Sequence, residues 1–153
     1  MEVKIIRFPA TKVAAIEHRG SPHLEHVTAL KLVEWRMKHR MHPDHHRSYG
    51  IHYDDPNGVS PENYRVDFCV SVECDVAENT EGIVNKIIPE GRCAVVRHYG
   101  SRDNVSAAPY LYEVWFPKSG EVLGDFPIFF HYINVGPNVK ESEMLTDVYL
   151  PLR

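Results

Sequence analysis

Short apolar runs in the chain alternate with segments whose apolar side chains recur every three or four residues. Residues 11–19 and 92–99 are rich in Val, Ile and Ala and stop at a Gly-Ser pair, the pattern of a strand entering a turn. After the first of them, Leu24, Val27, Leu30, Val33 and Met37 predict one face of a helix running to about His39. A stripe of this kind is expected to bury itself on a sheet. Residues 48–54 and 128–135 read as the next strands, and 64–73 and 144–152 as the last. The turn formers Asp54-Asp-Pro-Asn-Gly58 separate the first pair. Residues 75–91 mix Glu, Asn, Gly and Pro with Val and Ile and leave room for one extra strand.

These elements are repeated. Sliding the chain by 80 positions lays Val13–Ser21 over Cys93–Ser101, matching Ala14 with Ala94, His18 with His98, Gly20 with Gly100 and Ser21 with Ser101. The same shift pairs Trp35 with Trp115 and Asp67 with Asp147, and a one-residue adjustment pairs Ile51-His-Tyr53 with Phe130-His-Tyr132. In the second copy, Val105, Ala108, Leu111, Val114 and Trp115 carry the helical spacing. Pro109 lacks the N–H that an interior helical position needs, so this helix is expected to begin near Ala107 or Ala108, with Ser106 as its cap. Lys118-Ser-Gly120 ends it. The predicted fold is α+β, a single domain of duplicated β-α-β-β units covering about residues 1–74 and 92–153. The units form a mixed, largely antiparallel sheet with two helices on one face and a ligand groove on the other.

Strand alternation then sorts the side chains. Val148, Leu150 and Leu152 belong on the helix side of the last strand, and Asp147, Tyr149 and Pro151 on the other. In the first copy, Val66, Phe68, Val70 and Val72 oppose Asp67, Cys69 and Ser71 in the same way. An acid therefore recurs on the helix-free face, but only the second copy places a tyrosine, Tyr149, two residues beyond it. Asp147 is expected near Tyr132, Trp115, Tyr149 and, across the pseudo-symmetry, Tyr53. A carboxylate among rings suits a cationic amphiphile, with cation–π contacts worth about 0.5–2 kcal/mol per ring. The competing reading is that the rings are core packing and Asp147 caps a turn or pairs with an arginine.

Composition narrows the classes further. Of the 153 residues, 43% are hydrophobic and 25% charged, as in an ordinary globular protein. The net charge of −4 comes without a basic stripe, which argues against direct nucleic-acid binding. No apolar run is long enough to span a membrane, and the cytoplasm is the expected location. Cys69, Cys74 and Cys93 lack metal or redox spacing and read as buried free thiols. His39, His42, His45 and His46 surround Pro43, with His52 nearby, and read as a solvated loop without a metal. There is no Gly-rich phosphate loop, no supported Ser-His-Asp set and no HExxH, so neither catalytic residues nor a cofactor are expected.

The chain resembles the GyrI-like small-molecule-binding family, found also as the effector-binding domain of AraC-type and MerR-type multidrug regulators. The resemblance rests on Tyr53-Asp-Asp-Pro56, Tyr64-Arg-Val-Asp67, Trp115-Phe-Pro-Lys-Ser-Gly120, Phe130-His-Tyr132 and Thr146-Asp-Val-Tyr-Leu-Pro151. It implies a duplicated β-α-β-β fold whose groove accepts bulky, aromatic and cationic compounds. With no room for a DNA-binding domain, the chain is similar to the stand-alone members. Carried over to this sequence, the resemblance implies a pocket of Tyr53, Trp115, Tyr132 and Asp147, with Phe68 and Tyr112 as outer candidates. The family usually carries Glu at the acid, and Asp147 shortens the reach by about 1.5 Å, which binding tolerates better than chemistry. The leading expectation is thus a non-enzymatic binder with a role in toxin resistance. An inhibitor of DNA gyrase acting by protein interaction, and a hydrolase of cyclopropane-type genotoxins, are the alternatives that the resemblance implies.

Overall fold

Eight strands carry the fold: β1 (Lys4–Phe8), β2 (Thr11–Arg19), β3 (Ser48–His52), β4 (Arg65–Ser71), β5 (Ile83–Ile88), β6 (Gly91–Tyr99), β7 (Phe129–Tyr132) and β8 (Leu145–Pro151). The structure is a computed structural model describing residues 1–153. The chain divides into two compact units, Thr11–Ile88 and Met1–Ala10 with Pro89–Arg153. In the first the strand order is β3-β4-β2-β5, and in the second β1-β6-β8-β7. Every pairing within these ladders is antiparallel, as in the largely antiparallel α+β sheet expected from the sequence.

The units are cut differently from the sequence repeat. Residues 75–91 contain the extra strand, β5, which extends the first copy beyond residue 74 by pairing with β2. The N-terminal strand β1 does not join the first copy. It pairs with β6, Lys4 opposite Val95 and Phe8 opposite Gly91, and completes the second unit. Each three-stranded copy thereby gains one outer strand, taken from after it in one case and from far upstream in the other.

Each unit packs a helix on one face. Helix α1 (Glu25–Lys38) buries Leu32 and Trp35 against Ala14, Ile16, Val70 and Ile83. The stripe that periodicity picked out is on the other side: Leu24, Val27, Leu30, Val33 and Met37 are all exposed. The reason is that α1 is apolar on two sides. Trp35 has a large surface to bury, and Arg36 anchors the inner side by donating to Ser48 Oγ at 2.6 Å and the His46 carbonyl at 3.1 Å.

The second helical segment comprises α2 (Ala107–Tyr110), a π-helical turn (Leu111–Trp115) and α3 (Phe116–Ser119), ending at Gly120 with φ of 73°. A left-handed glycine at this point is a common helix terminus. Pro109 lies in the first turn as expected, but Ser106 makes no capping bond, and its hydroxyl lies 3.5 Å from His98 Nδ1. Leu111 is fully buried with Ala94, Val96, Val148 and Leu150, and Trp115 packs on the same cluster. A π turn winds more residues per turn than an α turn. Leu111 and Trp115 thus reach the sheet four residues apart, whereas Leu32 and Trp35 do so three apart.

Two outcomes follow from this packing. Leu32→Ala should cost about 2–4 kcal/mol, while Leu30→Ala, two residues away, should cost under about 0.5 kcal/mol; urea unfolding of both variants checks the inverted helix face. His52 is the second case, because burial pushes its imidazole down to about 4. The folded chain holds the neutral ring, while the unfolded chain takes up a proton below about 6.5, so stability should fall as pH drops from about 6.5 to about 4. The urea midpoint measured across that window should decline less steeply for His52→Gln than for the unsubstituted chain.

Candidate functional site

Strand register decides which predicted site residues can meet. On β8, Thr146 pairs with Tyr132 and Asp147 with His131. Cross-strand partners share a face, so Tyr132 stands on the side of Thr146, Val148 and Leu150, where the helix packs. Tyr132 and Trp115 both rest on that core, and Asp147 points to the opposite side. The aromatic box expected around Asp147 therefore does not assemble from Trp115 and Tyr132. Tyr132 already has a cation over its ring: the Arg102 guanidinium lies 5.2 Å from the centroid, held by the Leu145 and Asn134 carbonyls at 3.0 and 2.9 Å. Phe68 packs with the α1 core, and Tyr112 stands exposed in the π turn.

The rings that do share Asp147's face are others. Tyr149 stacks on Phe129 at 4.9 Å with planes 2° apart, and Phe8 meets the two edge-on at 5.3 and 4.9 Å. All three are buried. Next to them, Arg97 on β6 is the cross-strand partner of Asp147. Its Nε donates to Oδ1 at 2.8 Å and its Nη2 to Oδ2 at 3.1 Å, a two-pronged ion pair that holds the guanidinium in its charged form. The pair lies in a cleft of 590 Å³ lined also by Lys4, Val95, Tyr99 and Ser106.

In the first unit the equivalent acid is in a different state. Asp67 is fully buried and accepts from Tyr53 Oη at 2.7 Å, Arg19 Nη1 at 3.0 Å and Lys86 Nζ at 2.5 Å. Its cross-strand neighbour Glu17 accepts from the same Arg19 and Lys86. Burial alone would lower Lys86, but hydrogen bonds to Asp67 and Glu17 outweigh it and raise the ammonium. Burial, then the bond to Asp67, raises the Tyr53 phenol. Arg19, Arg65 and Lys86 lie 5.4, 5.4 and 5.7 Å from the Tyr53 ring centroid.

Arg97 was absent from the residues singled out in the sequence, although a signal for it exists. The shift of 80 positions that pairs Asp67 with Asp147 also lays Glu17 over Arg97, a charge inversion beside a repeated acid. Phe8 could not be found this way, because its strand lies outside the repeat. Among the other candidates, Cys69 and Cys93 are buried, and burial pushes the Cys93 thiol up to about 11, but Cys74 is exposed. The histidine loop is only partly free: His39 stacks on Trp35 at 4.6 Å and His46 Nδ1 lies 2.9 Å from the Ser71 carbonyl oxygen. No group of three or more His, Cys, Asp or Glu side chains converges as metal ligands would.

The GyrI-like small molecule binding domain matches residues 1–153. A relative in Escherichia coli (strain K12), named probable transcriptional regulator YgiV, is 38% identical over 99% of this chain and 96% of its own length. A DNA gyrase inhibitor of Erwinia billingiae is 30% identical over 80% of this chain and 77% of its own. Among solved structures, the EcmrR C-terminal domain has a TM-score of 0.76 at 19% identity, covering 99% of this chain and 97% of that one. SAV2435 bound to tetraphenylphosphonium has a TM-score of 0.59 at 10% identity, covering 100% and 94%. At these identities the two structures share the fold.

The two acids should respond differently to neutralisation. Asp67→Asn leaves Arg19 and Lys86 without their buried counter-ion and should cost about 3–5 kcal/mol. Asp147→Asn breaks a partly exposed pair and should cost about 1 kcal/mol. Thermal and urea unfolding of the two variants would measure the contrast, and equal losses would refute the distinction between a structural and an available acid.

Proposed function

Because the chain belongs to the GyrI-like small-molecule-binding domain family, we propose that it binds bulky aromatic cations at Asp147, on the helix-free face of its second unit. The observation that carries this reading is the contrast between the acids: Asp67 has three internal donors, whereas Asp147 is held by Arg97 at the wall of an open cleft. Binding is then an exchange of one cation for another. A small cation gains little, because it replaces a well-fitted guanidinium with a weaker contact. A bulky aromatic cation adds apolar burial against Val95 and the exposed Tyr99 ring, at roughly 25 cal/mol per Å². The selectivity for large over small cations comes from that difference.

Tetraphenylphosphonium bound to SAV2435 is a ligand of this chemical class in a protein of the same fold. Sequestration of such compounds is the role in toxin resistance that the site would serve. Hydrolysis is less favoured, since both Asp147 oxygens accept from Arg97, the arrangement of an anion held for its charge and not of a base aimed at water. The gyrase reading draws on the net charge of −4 and on the relative's name. Inhibition of supercoiling by the purified chain tests it separately.

Tetraphenylphosphonium should raise the melting temperature, tetramethylammonium should not, and Asp147→Asn should abolish the effect. Arg97→Gln removes the internal competitor and should tighten binding about tenfold, equivalent to about 1.4 kcal/mol, by calorimetry. Silence across a panel of aromatic cations, or an unchanged affinity in Asp147→Asn, would sink the proposal.

A further inference from the structure

The second unit offers Arg97 an anion on each side. Strand β6 pairs with β8 along one edge, where Asp147 is level with Arg97, and with β1 along the other, where Lys4 stands opposite Val95. Continued by two residues past the start of β1, that register brings Glu2 level with Arg97. Two observations support the continuation. Val3 packs on the helix-side cluster that contains Val96, the residue it would face, and Glu2 lines the open cleft with Lys4, Arg97 and Asp147. Alternation sends Val3 to one side and Glu2 to the other. One face of the unit then carries a row of anion, cation and anion: Glu2, Arg97 and Asp147.

Neighbouring strands lie about 4.8 Å apart, so a long side chain on β6 that reaches one neighbour reaches the other by rotating about its own bonds. Arg97 spends Nε and Nη2 on Asp147, and with its side chain 43% exposed no packed core stands against the rotation. Glu2 is exposed and takes part in no ion pair. The first unit has no counterpart. There β5 takes the place of β1, its register ends with Ile16 opposite Ile83, and the next residue is Gly82 at φ of 80°, which offers no side chain to Glu17.

A cation arriving at Asp147 has to release Arg97, and a guanidinium left unpaired in the cleft would repel it. We infer that Glu2 is the positioning residue that receives Arg97: ligand binding exchanges the Arg97–Asp147 pair for an Arg97–Glu2 pair and leaves Asp147 to the ligand. The guanidinium fork matches carboxylate geometry at either acid, so the exchange breaks one ion pair and forms another. Glu2 acts on the ligand through Arg97 and not by contact. The exchange on ligand binding rests on the proposed recognition of aromatic cations at Asp147, whereas the second partner of Arg97 stands apart from it.

A ligand-free arm uses Asp147→Asn, in which loss of the carboxylate should by itself send Arg97 across. The crystal structure of that variant should place the guanidinium within about 4 Å of the Glu2 carboxylate, and the Arg97 Nε–H should exchange with water faster once Glu2→Gln is added. The ligand arm is a double-mutant cycle by calorimetry with tetraphenylphosphonium at about 150 mM salt, where distant charges are screened. With Arg97 in place, Glu2→Gln should weaken binding roughly three- to fivefold. In the Arg97→Gln background the same change should shift it less than about 1.5-fold. Equal factors in the two backgrounds would mean that Glu2 meets the ligand itself, and no loss in either would mean that it plays no part. Each overturns the inference, as does an Arg97 that stays away from Glu2 in Asp147→Asn. If tetraphenylphosphonium fails to bind the unsubstituted chain, recognition of aromatic cations falls instead, and the Asp147→Asn structure still decides where Arg97 goes.

Discussion

Thr146 and Asp147 are adjacent in the chain and stand on opposite sides of a four-stranded ladder, because successive side chains of a strand alternate faces. That geometric rule governs most of what this protein can do. It sends Thr146, Val148 and Leu150 under the second helical segment and Asp147 with Tyr149 to the other side. Through the cross-strand register it also commits Tyr132 to the helix side and Phe129 to the face of Asp147. A one-residue slip of β7 would exchange those two rings.

Duplication supplied two such faces, and a single inversion of charge set their chemistry apart. In the first unit the cross-strand neighbour of Asp67 is Glu17, a second anion, and the ladder holds both only by bringing in Arg19 and Lys86. Each of these bonds removes the acid further from water, and the result is a closed polar network with Tyr53 as a third donor to Asp67. In the second unit the equivalent neighbour is Arg97, so one residue suffices for one charge. The side chain of Asp67 is 0% exposed and that of Asp147 is 15% exposed. The copies share a backbone plan and a repeated acid while differing in whether that acid can be reached.

The sequence made the strands, the duplication and the sorting of Asp147 and Tyr149 to one face legible, because alternation and repetition are local signals. It did not show which side of α1 faces inward. Periodicity detects an apolar stripe, but α1 carries apolar residues on both sides, and the choice falls to the tryptophan and to Arg36 reaching Ser48. The π turn also lies beyond pattern reading, since nothing in Leu-Tyr-Glu-Val-Trp distinguishes it from an α turn. For the proposed site, Asp147 was among the sequence candidates, while the rings that share its face were not. Trp115 and Tyr132 are near Asp147 along the fold but on the wrong side of the strands, while Phe8 comes from a segment outside the repeat.

The aromatic residues and acids that suggested cation recognition do recognise cations, and several of those cations are the protein's own. Arg102 lies over Tyr132, Arg19, Arg65 and Lys86 surround Tyr53, and Arg97 grips Asp147. What separates a structural pair from a ligand site is then the cost of exchange. Displacing a cation from Asp67 leaves charge in a closed network, with Glu17 deprived of the same donors. Displacing Arg97 costs less, because Asp147 is itself partly exposed and a single residue holds it, whereas Asp67 is 0% exposed and shares its donors with Glu17. On the proposed reading, the free energy left for an incoming cation is larger at Asp147, which has one internal residue to release, than at Asp67, which has three.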